Sequence, residues 1–282
     1  MKEKLLKKAK ELKISDLGVV KARVFDDLCL DLRAEGVESS RAEKMSNPFL
    51  YMEDAKSVIV CIFSYNTHEK GNISKYAFGK DYHKVITKKL AELSEPIIDA
   101  GFKCKAYTDS WDLNERFLAV RAGLGFIGEN RLFISPKFGS FVFIGVILTD
   151  CPLEESNPCE KKCLMCGKCV KACPANALSG GFKKERCVSD ITQKKGILSE
   201  EEEGFIRKSG YIWGCDICQE VCPYNKNVPE TDIEEFAEDR IVNLKIDENM
   251  PNREFRRKYA DRAFSWRGIN PLKRNQKIME KR

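Results

Sequence analysis

Residues 1–20 contain no long apolar run, which predicts that they are not a signal peptide. No apolar segment approaches membrane-spanning length, and the longest, around 141–148, is of strand size. These two absences predict a cytoplasmic protein, free of membrane, whose 13 cysteines stay reduced. Low-complexity segments and internal repeats are also missing, apart from two similar cysteine runs. No GxGxxG follows a strand: Gly123, Gly125 and Gly128 have that spacing, but a helical pattern precedes them, which makes a poor dinucleotide fingerprint. What remains is an ordinary soluble composition, 43% hydrophobic and 33% charged, over 282 residues. That length allows one large core and a small satellite.

The cysteines carry the chemistry. Cys163, Cys166, Cys169 and Cys173, followed by Pro174, read C-x2-C-x2-C-x3-C-P. This is the bacterial ferredoxin run, in which three cysteines hold one [4Fe-4S] cube and the fourth reaches another. Cys215, Cys218 and Cys222, followed by Pro223, repeat it with Ile212 where a fourth cysteine would stand. Cys187 can supply the missing thiolate, which completes two cubes. The crossed assignment puts Cys163, Cys166, Cys169 and Cys222 on one cluster, and Cys173, Cys187, Cys215 and Cys218 on the other. The spacing aims successive thiolates into one concavity lined by backbone N–H groups, and each proline then turns the chain away. Structural zinc is the alternative reading, but it gives no reason for two C-x3-C-P endings. Cys29, Cys61 and Cys104 read as small core residues; Cys151 and Cys159 receive no role.

Along the rest of the chain, Leu5, Leu6, Ala9 and Leu12 mark one face of an amphipathic helix over 2–13. A short strand is predicted at 19–24, a helix at 26–33, and a strand buried on both faces at 57–65. A polar loop is expected over 66–80. Asp81 then opens a long helix to about residue 100, and Gly101 caps it. Strands follow at 103–108, 131–135 and 140–148, with a helix from Asp112 or Asn114 between the first two. The fold class is therefore α/β, with strands and helices alternating around one sheet over residues 1–150. A two-cluster ferredoxin-like domain should occupy 151–230, and a helical, basic segment 231–282. The net charge of +6 is uneven: residues 251–282 hold eleven Lys or Arg against three Asp or Glu. With Phe255, Tyr259, Phe264 and Trp266 interleaved, this suggests a polyanionic partner, or a solvated helix whose aromatics pack on the body. Asp81 and His83 start a D-x-H-x-x-G cobalamin motif, but Ile86 stands at its glycine, so His83 is a poor cobalt ligand.

Several stretches resemble epoxyqueuosine reductases: 76–83, ending in Asp81, Tyr82 and His83; Thr108, Asp109 and Ser110; Glu115 and Arg116; 122–130; and 138–140. The cysteine framework with Arg186, Cys187 and 211–215 does so too, and the likeness runs from about residue 10 to about Asn275. The resemblance implies a nitroreductase-like core that binds cobalamin, related to reductive dehalogenases, and a substrate, epoxyqueuosine in the tRNA anticodon loop. It implies that the clusters reduce base-off cobalamin, that reduced cobalt attacks the epoxide, and that Asp109 is the proton donor. At a strand end beside an apolar cofactor, Asp109 is expected to have a raised pKa; otherwise it caps the following helix. Cobalamin contacts are expected from Asn130, Phe133, Ile144, Val188 and Ser189. An external low-potential electron donor and a monomeric state complete the expectation. The family usually has Lys where this chain has Glu129, and Arg where it has Met45. Full-length members continue into a C-terminal helical-repeat domain from about residue 275. These departures bear on tRNA rather than on fold or cofactors. The competing readings are a related corrinoid reductase of a small molecule or corrinoid protein, and a non-enzymatic two-cluster electron carrier.

Overall fold

Every residue of the strand Ser57–Ser64 is buried, which forces it to the middle of the molecule. The structure, a computed structural model, describes residues 1–281; Arg282, the last residue of the basic segment, lies outside them. The elements begin α1 (Lys2–Glu11), β1 (Asp16–Lys21), α2 (Asp26–Ala34), α3 (Ser39–Ser46), β2 (Ser57–Ser64), α4 (Tyr82–Ile98), β3 (Cys104–Tyr107) and α5 (Glu115–Arg121). They continue β4 (Phe126–Ile127), β5 (Phe133–Ile134), β6 (Val142–Thr149), α6 (Lys168–Ala172), α7 (Val188–Ile191), α8 (Glu200–Ser209) and α9 (Ile217–Glu220). Last come α10 (Glu234–Ala237), α11 (Asn252–Lys258) and α12 (Ile269–Glu280). Among the described residues no helix is long and apolar enough to cross a membrane.

The main sheet has the order β1-β2-β6-β3, and all its pairs are antiparallel. A doubly covered strand is usual in parallel sheets; here it arises because both faces of an antiparallel sheet are packed. Val58, Val60 and Ile62 point into one core with Phe25, Leu118 and Leu148. Ile59, Cys61 and Phe63 point into the other, with Leu5 and Ile86. This is the strict alternation of a strand, and truncating Phe63 to Ala would cost about 3–5 kcal/mol.

Helix boundaries follow local chemistry. The Asp81 carboxylate accepts the His83 N–H at 3.1 Å and starts α4. Asn114 starts α5 by accepting from the Phe117 N–H at 3.1 Å, so Asp109 does not cap that helix. In α1, Leu5 and Ala9 are buried as expected, but Leu6 is exposed, because the stripe is only one residue wide.

The 66–80 segment corrects the expectation of a polar loop. Ile73, Ala77 and Phe78 are buried in a third core with Trp213, Phe255, Phe264 and Leu272. The Ser74 N–H donates to the Trp213 carbonyl at 2.8 Å, and the Ile212 N–H to Asn72 at 2.7 Å. The Trp213 indole donates to Tyr76 Oη at 2.7 Å. The loop is thus the partner of the chain leading into Cys215. Three of the four aromatics in the basic segment belong to this packing, Phe255, Tyr259 and Phe264; Trp266 remains exposed.

Candidate active site and cysteine centres

The cysteines of the two runs separate into two groups in space. Cys163, Cys166, Cys169 and Cys222 line one small cavity, together with Glu129 and Asn130. Cys173, Cys187, Cys215 and Cys218 line another, larger one. These are the two quartets of the crossed assignment. Among the described residues, no three His, Cys, Asp or Glu side chains meet closely enough for a single ion. Each quartet lines a cavity instead, and four cysteines is the ligand count of a [4Fe-4S] cube.

The larger cavity, about 450 Å³, is of cofactor-site size and spans the space from the sheet to the second quartet. Asn130, Phe133, Ile144, Val188 and Ser189, the five expected cobalamin contacts, all line it, as does Asp109. Its walls are largely apolar, with Phe143 and Leu178 among them. The Asn130 side-chain NH₂ is buried there without a hydrogen-bond partner. A buried unpaired donor costs stability unless a ligand satisfies it. These features fit a large, mostly apolar cofactor with polar edges.

At the sheet side of this cavity, Tyr82 Oη donates to Asp109 Oδ2 at 2.5 Å, and His83 Nε2 lies 3.6 Å from the same oxygen. His83 Nδ1 in turn meets Asp81 at 2.8 Å. Tyr82 is held between rings, stacked on His83 at 4.0 Å and on Phe143 at 4.3 Å. Asp109 has a left-handed backbone, φ 48°, and its N–H donates to Glu115 Oε1 at 2.7 Å. Trp111, stacked between Tyr51 and Tyr107, anchors the next turn of the same segment.

The electrostatics correct the expected raised pKa of Asp109. His83, and after it Tyr82, hold the Asp109 carboxyl below the usual carboxylate range against the opposing effect of burial. The side chain itself is 64% exposed, and the His83 contact outweighs the burial of its carboxyl. The proton sits on its neighbours. Asp109, then Asp81, raise His83 to about 9, and burial pushes Glu115 up to about 8. Asp109 lines the cavity and His83 does not, so His83 meets the cavity's wall through Asp109. Glu115 and Tyr82 were not singled out as chemical residues from sequence. The only signal was their place inside the motifs around His83 and Asp109.

Buried polar groups hold the second quartet in place. Asp216 is fully buried and accepts from Ser74 Oγ at 2.6 Å, the Lys75 N–H at 2.7 Å and Gln219 Nε2 at 3.0 Å. Burial raises its carboxyl to about 6. Ser140, at the entry to β6, donates to Gln219 at 2.9 Å and accepts from Asn225 at 2.8 Å. Gly139 has φ 66°, and a Cβ there would lie 2.0 Å from Asn225 Oδ1, so only glycine lets this corner close. Burial pushes the Cys215 thiol up to about 12 and Cys218 well above its ordinary value. Thiols this hard to ionise alone are stabilised as thiolates by a metal.

Comparison with known proteins accounts for both halves of the site. The family described as "4Fe-4S double cluster binding domain" matches residues 162–225, and "Epoxyqueuosine reductase QueG, DUF1730" matches residues 46–110. The epoxyqueuosine reductase of Lactococcus garvieae is 36% identical over 98% of this chain and 85% of its own length. A crystal structure of epoxyqueuosine reductase with a tRNA-Tyr epoxyqueuosine-modified stem loop superposes with a TM-score of 0.85 at 32% identity. It covers 99% of this chain and 80% of that one. The catabolic reductive dehalogenase NpRdhA shares the fold alone, with a TM-score of 0.52 at 15% identity over 83% of this chain and 33% of its own. By its similarity over 98% of its own length and its double-cluster domain, the chain is an oxidoreductase and belongs to the epoxyqueuosine reductase family.

Proposed function

We propose that this protein reduces the epoxide of epoxyqueuosine in tRNA, using two [4Fe-4S] clusters and cobalamin. The observation that carries the reading is one cavity bounded by Asp109 and Tyr82 on one wall and Cys173, Cys187, Cys215 and Cys218 on the other. Electron source and proton source face each other across a space of cofactor size. In this reading Cys163, Cys166, Cys169 and Cys222 hold the outer cluster, and the other quartet holds the inner one. Asn130, Phe133, Ile144, Val188 and Ser189 hold cobalamin, which supplies a strongly reducing centre in the cleft. Residues 1–150 furnish the cleft, 151–230 the clusters and 231–282 a nucleic-acid face. An external low-potential donor feeds the outer cluster, and the protein acts in the cytoplasm as a monomer.

Removing the epoxide oxygen as water and leaving an alkene consumes two electrons and two protons. Asp109 takes a proton from His83 and passes it to the epoxide oxygen as the C–O bond breaks, which makes it a relay rather than a standing acid. Tyr82 orients the carboxylate, and Glu115 fixes the backbone that carries it.

The basic segment supports a tRNA partner through one helix. Arg253, Arg256, Arg257 and Lys258 on α11 are all exposed, while Phe255 and Tyr259 anchor it. Other cations of the segment are occupied: Arg262 with Asp239 and the Phe78 carbonyl, Arg274 with the carbonyls of Lys194 and Gly196. Neutralising Arg256, Arg257 and Lys258 should flatten the salt dependence of tRNA binding by roughly two to three units of slope. The deciding experiment supplies cluster- and cobalamin-loaded protein with a chemical reductant and epoxyqueuosine tRNA. Mass spectrometry should show loss of one oxygen atom; an unchanged nucleoside refutes the reading.

A further inference from the structure

Glu129 reaches the outer quartet from the other half of the molecule. It sits between β4 and β5, on the turn closed by the Arg131 N–H to Gly128 carbonyl bond at 2.9 Å. One of its carboxylate oxygens accepts the Gly167 N–H at 3.3 Å and lies 3.9 Å from Cys169 Sγ. Gly167 has φ 66° within the Cys166–Cys169 turn, where the backbone N–H groups of such a run face the cluster. The acidic side chain therefore lines the same cavity as Cys163, Cys166, Cys169 and Cys222.

Cluster potentials are set by net charge and by hydrogen bonds to the sulfurs. Glu129 acts on both in the same direction. It adds a negative charge beside a centre that becomes more negative when it gains an electron, and it draws one N–H donor away from the sulfurs. We infer that Glu129 lowers the reduction potential of the outer cluster relative to the inner one, and so drives electrons inward once they arrive. The step concerned is the uptake of one electron by the outer cluster from a low-potential one-electron donor, and its loss to the inner cluster. Glu129 touches neither substrate nor reacting atoms; it works through the cluster. The inference rests on the assignment of Cys163, Cys166, Cys169 and Cys222 to that cluster.

The test is an anaerobic redox titration of the cluster-loaded full chain with dithionite, followed by low-temperature EPR. Wild type is compared with Glu129→Gln, Glu129→Lys and Cys222→Ser, and iron and sulfide are quantified in each. The one-electron wave that Cys222→Ser removes should shift about tenfold toward reduction in Glu129→Gln, about 59 mV. Glu129→Lys should move it further the same way, an independent reading should Glu129→Gln bind iron poorly. The other wave stays in place. Variants at full iron content with both waves unmoved, or with only the other wave moved, overturn the inference. A Cys222→Ser variant that retains all its iron overturns the cluster assignment instead, which keeps the two failures distinct.

Discussion

The two cysteine quartets have the same ligands and different surroundings. In the outer one, Cys166 is exposed, Cys163 and Cys222 are half-buried, Cys169 is buried, and an acidic side chain lies at one side. In the inner one, Asp216, Ser140, Gln219 and Asn225 form a buried polar frame, and the thiols share a cavity with Asp109. The difference teaches that spacing in sequence settles which thiols meet, while tertiary surroundings settle what each centre does. A centre with an exposed ligand can meet a protein donor; one that shares a cofactor-sized cavity can meet a cofactor.

The sharpest way to break this comparison is to remove one inner ligand. Cys218→Ser should abolish turnover and lower iron from about eight to about four atoms per chain, with the outer cluster's EPR signal retained. Full activity at half the iron would show that the inner quartet is not on the electron path. Next in size is Asp109→Asn, expected to lower kcat by roughly 10²–10⁴-fold while both clusters remain. Turnover within a few-fold of wild type would remove Asp109 from the chemistry. His83→Gln should cost less, and should change the shape of the pH profile. His83 is raised to about 9, so its proton is present at neutral pH and is lost as pH rises through about 9. Wild-type kcat should therefore fall on that alkaline limb, and the limb should vanish in the variant. By the same linkage, the stability from the His83–Asp109 pairing is complete below the ordinary histidine range and lost as pH rises through about 9. The smallest effect belongs to the frame: Ser140→Ala leaves Gln219 and Asn225 each short of a partner. It should destabilise the protein by about 1–3 kcal/mol in denaturant titrations, with the outer cluster's potential unchanged.

The parts legible in the sequence were those governed by local rules. The cysteine spacing, the apolar run of β2, the Asp81 cap and the Gly101 stop depend on neighbours a few residues apart. The antiparallel order of the sheet was not legible, because no local signal distinguishes a strand covered by helices on both faces in either arrangement. Residues 66–80 misled because their polar residues bond to residues far along the chain, as Asn72 does with Leu244 and Ser74 with Asp216. The motif identifies Asp109 but carries no information on its ionisation. The two groups that govern it lie 26 and 27 residues earlier, placed by the Asp81 cap and by the packing of Tyr82 on Phe143. Glu129 was visible only as a charge reversal until the turn that carries it was seen against Gly167.

Asn275 on α12 gives the molecule an order of assembly. Its side chain is fully buried and donates to the carbonyls of Thr192 and Ile212, both at 2.8 Å. Those carbonyls belong to the stretch just after Cys187 and the stretch just before Cys215. During synthesis, every cysteine emerges from the ribosome more than fifty residues before this clasp exists. The clasp can therefore close only after all the inner cysteines have been made. A premature stop before Asn275 would leave the stretches that carry Cys187 and Cys215 without this clasp.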